Sequence, residues 1–201
     1  MEFIKFILKR SLLYGSLSII FSLVGLIVML EKLPRPSIVT PVEVIGFVSV
    51  EHVLGHIIFG MFLGIVTLRW RYVVLAGFFA ILVDADRALY LLDILEIPRM
   101  AHSVPFAIFA AVVMMLVFGK KDLKLISISF AAIFIHISFD ILSGRAGTFL
   151  LFAPFDNTKF YFPEITWIYF LLLSIAIVTA FTLIPKRIVL KQRNKEGLTE
   201  R

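Results

Sequence analysis

Residues 11–30 run 20 positions without a charged side chain, the length an α-helix needs to cross the hydrocarbon core of a bilayer. The run follows a basic start, as a signal peptide would. No small-residue cleavage site comes after it, only "EKLPRP", so it is expected to stay as a first helix. The same criterion predicts about six spans, near 11–30, 49–68, 72–95, 100–118, 124–143 and 165–184. Composition agrees: 60% of the 201 residues are hydrophobic and 17% are charged, more apolar surface than a water-soluble domain of this size can bury. An all-α, polytopic transmembrane bundle in the cell membrane is therefore expected. It forms one domain over residues 1–201, without internal repeat and with membrane lipid as its surroundings.

The chain carries a formal charge of +6, but its basic residues lie at the ends of the spans and not along one face, which argues against nucleic acid as a partner. Nothing in the pattern calls for a protein partner. One side of the expected layout holds 14 of the 20 basic residues, among them Lys5, Lys9, Arg10, Arg69, Arg71, Lys120, Lys121 and Lys124, and the other holds 6. By the positive-inside rule both termini face the cytoplasm, with residues 185–201 as a basic tail. The absence of cysteine excludes disulfides and thiolate metal sites.

Polar residues interrupt the apolar text in few places. "LVDADRALYLL" puts Asp84, Asp86 and Arg87 inside the third span. A charge at the centre of a span costs roughly 2.5–3.5 kcal/mol on insertion scales, so these carboxylates require a counter-charge. All four histidines also fall in expected spans: His52 and His56 in "EHVLGHIIFG", His102 in "RMAHSVPF", and His136, with Asp140, in "FIHISFDILSG". His52/His56 and His136/Asp140 are i, i+4 pairs, so each pair shares a helix face. Counted from the basic residue closing each helix, His56, Asp84 and His136 stand 13, 13 and 12 residues deep, and Asp86, Asp140, His52 and His102 form a neighbouring layer. Single membrane histidines commonly serve as hydrogen-bond partners between helices. Seven such groups at matching depth fit better as ligands of a cation that neutralises the aspartates.

Imidazole and carboxylate without thiolate suit a divalent transition metal, zinc first, with manganese, iron or nickel as alternatives. Seven candidates exceed one zinc sphere, so some would orient ligands or hold a second ion. Asp84 and Asp86 cannot share a face of a regular helix, since i and i+2 differ by about 200°. Either the helix is distorted there or one carboxylate serves elsewhere.

In order, His-x-x-x-Gly (His56, Gly60), Asp-x-Asp (Asp84, Asp86), Arg…His-Ser (Arg99, His102, Ser103), His-x-x-x-Asp (His136, Asp140) and "GTFLLFAPF" resemble the YdjM-like family over roughly residues 50–160. Arg87 stands where that family carries a histidine, and "PRMAHS" where it reads Thr-His-Ser. The resemblance implies a membrane-bound, metal-dependent hydrolase. From the residues, the substrate would be a lipid or lipid-linked phosphate or ester, with the metal among His52, His56, Asp84, Asp86, His102, His136 and Asp140. Asp86 or His102 would act as general base, and Arg99 or Arg145 would hold an anionic group. The competing expectation is a divalent-cation or proton transporter using the same His/Asp set.

Reporter fusions test the layout: insertions after Pro36 and near Asp156 should report the outside, and one after Arg193 the cytoplasm. A cytoplasmic signal near Asp156 would overturn it.

Overall fold

The central helix of the bundle begins where sequence would start one. Asp122 caps it, its carboxylate accepting from the backbone N–H of Leu125 at 3.1 Å. From there the apolar stretch Leu123–Leu142 continues unbroken, with most of its side chains buried by neighbouring helices. The computed structural model describes residues 1–29, 49–92, 99–144 and 148–199. Its helices are α1 (Glu2–Met29), α2 (Val50–Ile65), α3 (Trp70–Leu82), α4 (Val104–Phe118), α5 (Leu123–Leu142) and α6 (Thr166–Thr199), with 3₁₀ segments at Val83–Leu92 and Met100–His102. The architecture is all-helical. Among the described residues the only β-type pairing is one isolated bridge, Phe149 with Phe160, which closes the loop before α6.

Helices α2, α3, α4 and α6 pack around α5, and α1 lies against α3 and the longer 3₁₀ segment. Small residues set the tightest contact. Gly60 and Gly64, one turn apart on α2, face Gly77, Ala76 and Val73 of α3, and a Cβ at either α2 glycine would overlap that backbone. With little hydrophobic force to drive helices together in lipid, such close approach supplies the van der Waals contact instead. On α1, Tyr14 stacks on Phe79 with ring centroids 4.2 Å apart and donates its hydroxyl hydrogen to the Ser129 carbonyl at 3.2 Å. One residue thereby ties α1 to both α3 and α5.

Outer faces are apolar, with Leu12, Ile20, Val24, Leu54, Ile58, Leu116 and Leu172 exposed, while the four histidines, Asp84, Asp86, Asp140 and serines such as Ser18, Ser22 and Ser129 are buried. That inversion suits lipid as solvent. Within the described residues, Glu2–Ile27 and Leu123–Leu142 are long and apolar enough to cross a membrane; Val50–Ile65, Val104–Phe118 and Thr166–Thr182 are apolar but shorter.

Two expected spans need correction. The stretch 72–95 is not one α-helix: α3 ends at Leu82 and the chain tightens into a 3₁₀ helix at the first aspartate. The stretch 100–118 opens with a 3₁₀ turn, and the α-helix starts only after Ser103, whose hydroxyl accepts from the Phe106 N–H at 3.3 Å. At the other end α6 continues as helix through most of the basic tail. The prolines expected to break the first connection (Pro34, Pro36, Pro41), and Pro98, lie outside the described residues.

Gly64→Leu should separate α2 from α3, since its side chain has only the Val73 Cα and the Tyr72 carbonyl to occupy. Overpacking of this kind costs about 1–3 kcal/mol. Thermal unfolding in detergent should show a clearly lowered Tm, and Ser16→Leu, at an exposed position of α1, should serve as the comparison for side-chain bulk.

Candidate metal centre

Each wall of the site is placed by a local feature of the chain. The Ser49 hydroxyl caps α2, which then presents His52 and His56 on its inward face. Between them Gly55 leaves room for the Phe139 ring from α5, which lies 4.8 Å from the His56 ring, centroid to centroid. Gly25 of α1 likewise makes room for the Met100 side chain, seating the 3₁₀ turn that ends in His102. His136 and Asp140 sit one turn apart on α5.

The change to 3₁₀ geometry at Val83 resolves the Asp-x-Asp problem. At about 120° per residue, positions i and i+3 eclipse while i and i+2 stay about 120° apart. Arg87 accordingly lies over Asp84, with Nε 3.1 Å from Oδ1, and the two aspartates diverge. Asp84 turns toward the histidines. Asp86 turns toward α1 and accepts the Ser22 hydroxyl hydrogen at 2.9 Å. One turn earlier Ser18 donates to the Val83 carbonyl at 2.8 Å, so two serines on one face of α1 hold the 3₁₀ segment. Both answers to the sequence question apply: the helix type changes, and Asp86 serves a different neighbour.

All seven predicted His and Asp side chains are buried, and their donor atoms meet. The His52 Nε2 lies 3.2 Å from Asp84 Oδ2 and 3.2 Å from His56 Nε2. His56 Nε2 is 3.3 Å from Asp140 Oδ1, and the His56 ring stacks on that of His136 with centroids 3.9 Å apart. His136 Nε2 lies 3.3 Å from Asp140 Oδ2 and 2.9 Å from His102 Nε2, which is itself 3.2 Å from Asp84 Oδ1. The two layers expected from residue counts thus merge into one cluster. Arg99 enters it too, with one guanidinium nitrogen 2.6 Å from Asp84 Oδ1, 2.7 Å from His102 Nε2 and 3.5 Å from Asp140 Oδ2. Arg145 lies outside the described residues.

Two observations test whether these residues fit a metal. First, two of the imidazoles have partners whose roles fix the ring nitrogens, the Ala80 carbonyl at His136 and Arg99 at His102. His136 Nδ1 is 2.7 Å from the Ala80 carbonyl, which only accepts, so the proton is on Nδ1 and the neutral ring turns a lone pair inward from Nε2. The single lone pair of His102 Nε2 is met by an Arg99 N–H. The Nε2 atoms of His102 and His136 face each other at 2.9 Å, a separation that calls for either a proton or a metal ion between them. Second, three buried carboxylates face two guanidiniums, Arg87 and Arg99, leaving one negative charge in excess while the imidazoles are neutral. The donor set fits a divalent transition ion. Four overlapping triads have ligand atoms within 4.8 Å of one another: His52/His56/Asp140, His56/Asp84/His136, His102/His136/Asp140 and Asp84/Asp86/His102.

Beside the cluster a cavity of about 130 Å³ is lined by Arg99, His102, Thr148, Phe149, Leu150 and Lys159. Lys159 is one of the six basic residues that the sequence puts on the outer side, and neither it nor Ser18 or Ser22 stood out there as a site residue. The i, i+4 spacing of the two serines in an otherwise apolar helix was the available signal. For Lys159 there was none, because the Phe149–Phe160 pairing brings it to the site. Glu51 and Glu164, outside the cluster, are exposed, and Asp93 and Glu96 fall outside the described residues.

The family model described as YdjM inner membrane protein matches residues 50–199, so the chain belongs to that family. No curated protein and no solved structure matches it. The match runs past the 50–160 expected from the motifs to include α6, and leaves α1 outside. Membership in this family, with helices apolar enough to span, places the protein in the cell membrane.

His56→Ala and His136→Ala each remove one inward imidazole. Elemental analysis of the purified variants should show metal affinity lowered by tenfold or more, on the order of what the loss of a ligand's orienting partner alone costs. Glu164→Gln, at an exposed position, should leave metal content unchanged. Full occupancy in both histidine variants would show that the cluster does not hold the ion.

Proposed function

Taking an inner membrane protein of the YdjM family as the premise, we propose a membrane-embedded metal-dependent hydrolase that acts on a lipid or lipid-linked phosphate or ester. One observation carries this reading: a buried nest of four imidazoles and three carboxylates opens beside a small cavity walled by two cationic side chains. Six helices cross the bilayer with both termini cytoplasmic. α2 and α4 are about 24 and 22 Å long and span with help from their flanking turns, while α3 and the 3₁₀ segment together rise roughly 40 Å. The cluster then lies in the outer half of the bundle.

His56, Asp84 and His136 have ligand atoms within 4.8 Å of one another, and Asp140 lies 3.3 Å from each of the two imidazoles, so these four would hold the ion. Zinc matches the donor set best, with manganese, iron and nickel as alternatives. When bound, such an ion supplies Lewis acidity and makes water a competent nucleophile near neutral pH. The remaining work belongs to the chain. His52, against His56 and Asp84, orients both. Asp86, engaged by Ser22, keeps the 3₁₀ segment in register. His102 lines both the cluster and the cavity, and its Nε2, which accepts from Arg99, would take a proton from attacking water once Arg99 turns to a substrate anion. Arg99 and Lys159 face the cavity as a cationic pair suited to the oxygens of a phosphate or carboxylate ester. Phe149 and Leu150 give that cavity an apolar side for the lipid portion.

In reconstituted vesicles, Asp140→Asn should lower turnover of outer-leaflet phosphate- or ester-bearing lipids by on the order of 100-fold or more, without altering ion permeability. Lys159→Ala should act differently. Losing one charge-assisted bond of about 1.5–3 kcal/mol should raise KM tenfold or more while metal content stays constant. Metal-dependent cation flux lost in Asp140→Asn, with no lipid product from the unaltered protein, would replace hydrolysis with transport.

A further inference from the structure

We propose that the end of the bundle away from the metal cluster carries a second site, a basic cleft that binds the phosphate headgroup of an anionic phospholipid. From Leu123, at the cleft, to His136 is 13 helical residues, about 20 Å, so the two sites do not share groups. The cleft holds about 850 Å³ between the α2–α3 turn, the α4–α5 turn and α6. Five of its lining residues are cationic, Arg69, Arg71, Lys120, Lys121 and Lys124, against one carboxylate, Asp122.

That carboxylate is already committed. Its two oxygens accept the Tyr72 hydroxyl at 2.7 and 2.8 Å, and it caps α5 through the Leu125 N–H. Lys124 is committed as well, donating to the Thr67 carbonyl and so latching the α2–α3 turn to α5. The other four cations are exposed, and among the described residues none of them forms an ion pair. Arg71 is pre-positioned: its guanidinium lies 4.8 Å from the Phe6 ring centroid and donates to the Tyr72 hydroxyl at 3.2 Å, which holds it at the cleft. The result is a rigid pocket with surplus positive charge.

Phosphate is the anion such a pocket suits, and the surroundings specify a lipid as its source. Leu68 and Trp70 stand exposed beside Arg69 and Arg71, and Phe181 lies across the cleft. Charge and apolar wall meet along one line, as a headgroup and its acyl chains do at a bilayer surface. This inference stands apart from the hydrolase reading, and neither needs the other.

Trp70 provides the measurement, with Trp167→Phe as background so that it is the sole tryptophan. In vesicles, lipids with brominated acyl chains quench a tryptophan they touch. Brominated phosphatidylglycerol should bind beside Trp70 about fivefold or more tightly than brominated phosphatidylcholine, the factor a single basic residue near an anionic lipid supplies. Lys120→Gln/Lys121→Gln should lower the preference severalfold, and Lys120→Arg/Lys121→Arg should retain it. Lys5→Gln/Lys9→Gln removes equal charge outside the cleft lining and should also retain it. Equal quenching by both lipids, equal loss in the Lys5/Lys9 variant, or abolition of the preference by millimolar inorganic phosphate would each overturn the proposal. The last would mark a site for free anion instead.

Discussion

The carboxylate of Asp84 joins groups from every wall of the site: His52 from α2, Arg87 from its own 3₁₀ segment, Arg99 and His102 from the turn before α4, and His136 from α5. An ionised aspartate in an apolar bundle is tolerated only when its charge is met, and meeting it draws four separate stretches of chain to one point. The neighbouring features follow from that demand. The backbone tightens at Val83, which puts Arg87 directly over Asp84 and directs Asp86 to α1. Gly55 and Gly25 then admit the Phe139 and Met100 side chains that seat the histidine-bearing segments.

Sequence alone brought His52, His56, Asp84, Asp86, His102, His136 and Asp140 into one neighbourhood. Boundary charges fix how deep each helix sits, and a rise of about 1.5 Å per residue converts counts into depth. What counts cannot carry is rotation and local helix type. The 3₁₀ stretch from Val83 to Leu92 reads as ordinary helix in an apolar text, although the i, i+2 spacing of Asp84 and Asp86 signalled an irregularity. His102 looked helical because its neighbours are apolar, whereas Ser103 as N-cap places it just before the helix. Lys159 reaches the site through a pairing between residues eleven apart in a loop, which no periodicity encodes.

Polar satisfaction in this bundle is unevenly shared. His136 is held through Nδ1, and its bond to the Ala80 carbonyl sets which nitrogen faces inward. His52, His56 and His102 have Nδ1 atoms that are buried without a hydrogen-bond partner among the described residues, leaving their orientation to ring packing and to Nε2. His136 is therefore the most firmly oriented donor. A ligand whose second nitrogen is anchored holds its tautomer through ion exchange, while its neighbours are free to adjust.

The serines of α1 belong to a helix outside the range matched by the family model, yet Ser18 and Ser22 grip the segment that carries both central aspartates. Chain order gives this grip a role in biogenesis. At about 5–20 residues per second, Asp86 leaves the ribosome some 3–11 s before Asp140 and well before the α5 imidazole exists. Through that interval the newly made carboxylates have Arg87 and the earlier-made polar groups to turn to, and Ser18, Ser22, His52 and His56 are all upstream. The amino-terminal helix thus offers the aspartate segment hydrogen bonds that do not wait for any later helix to be made.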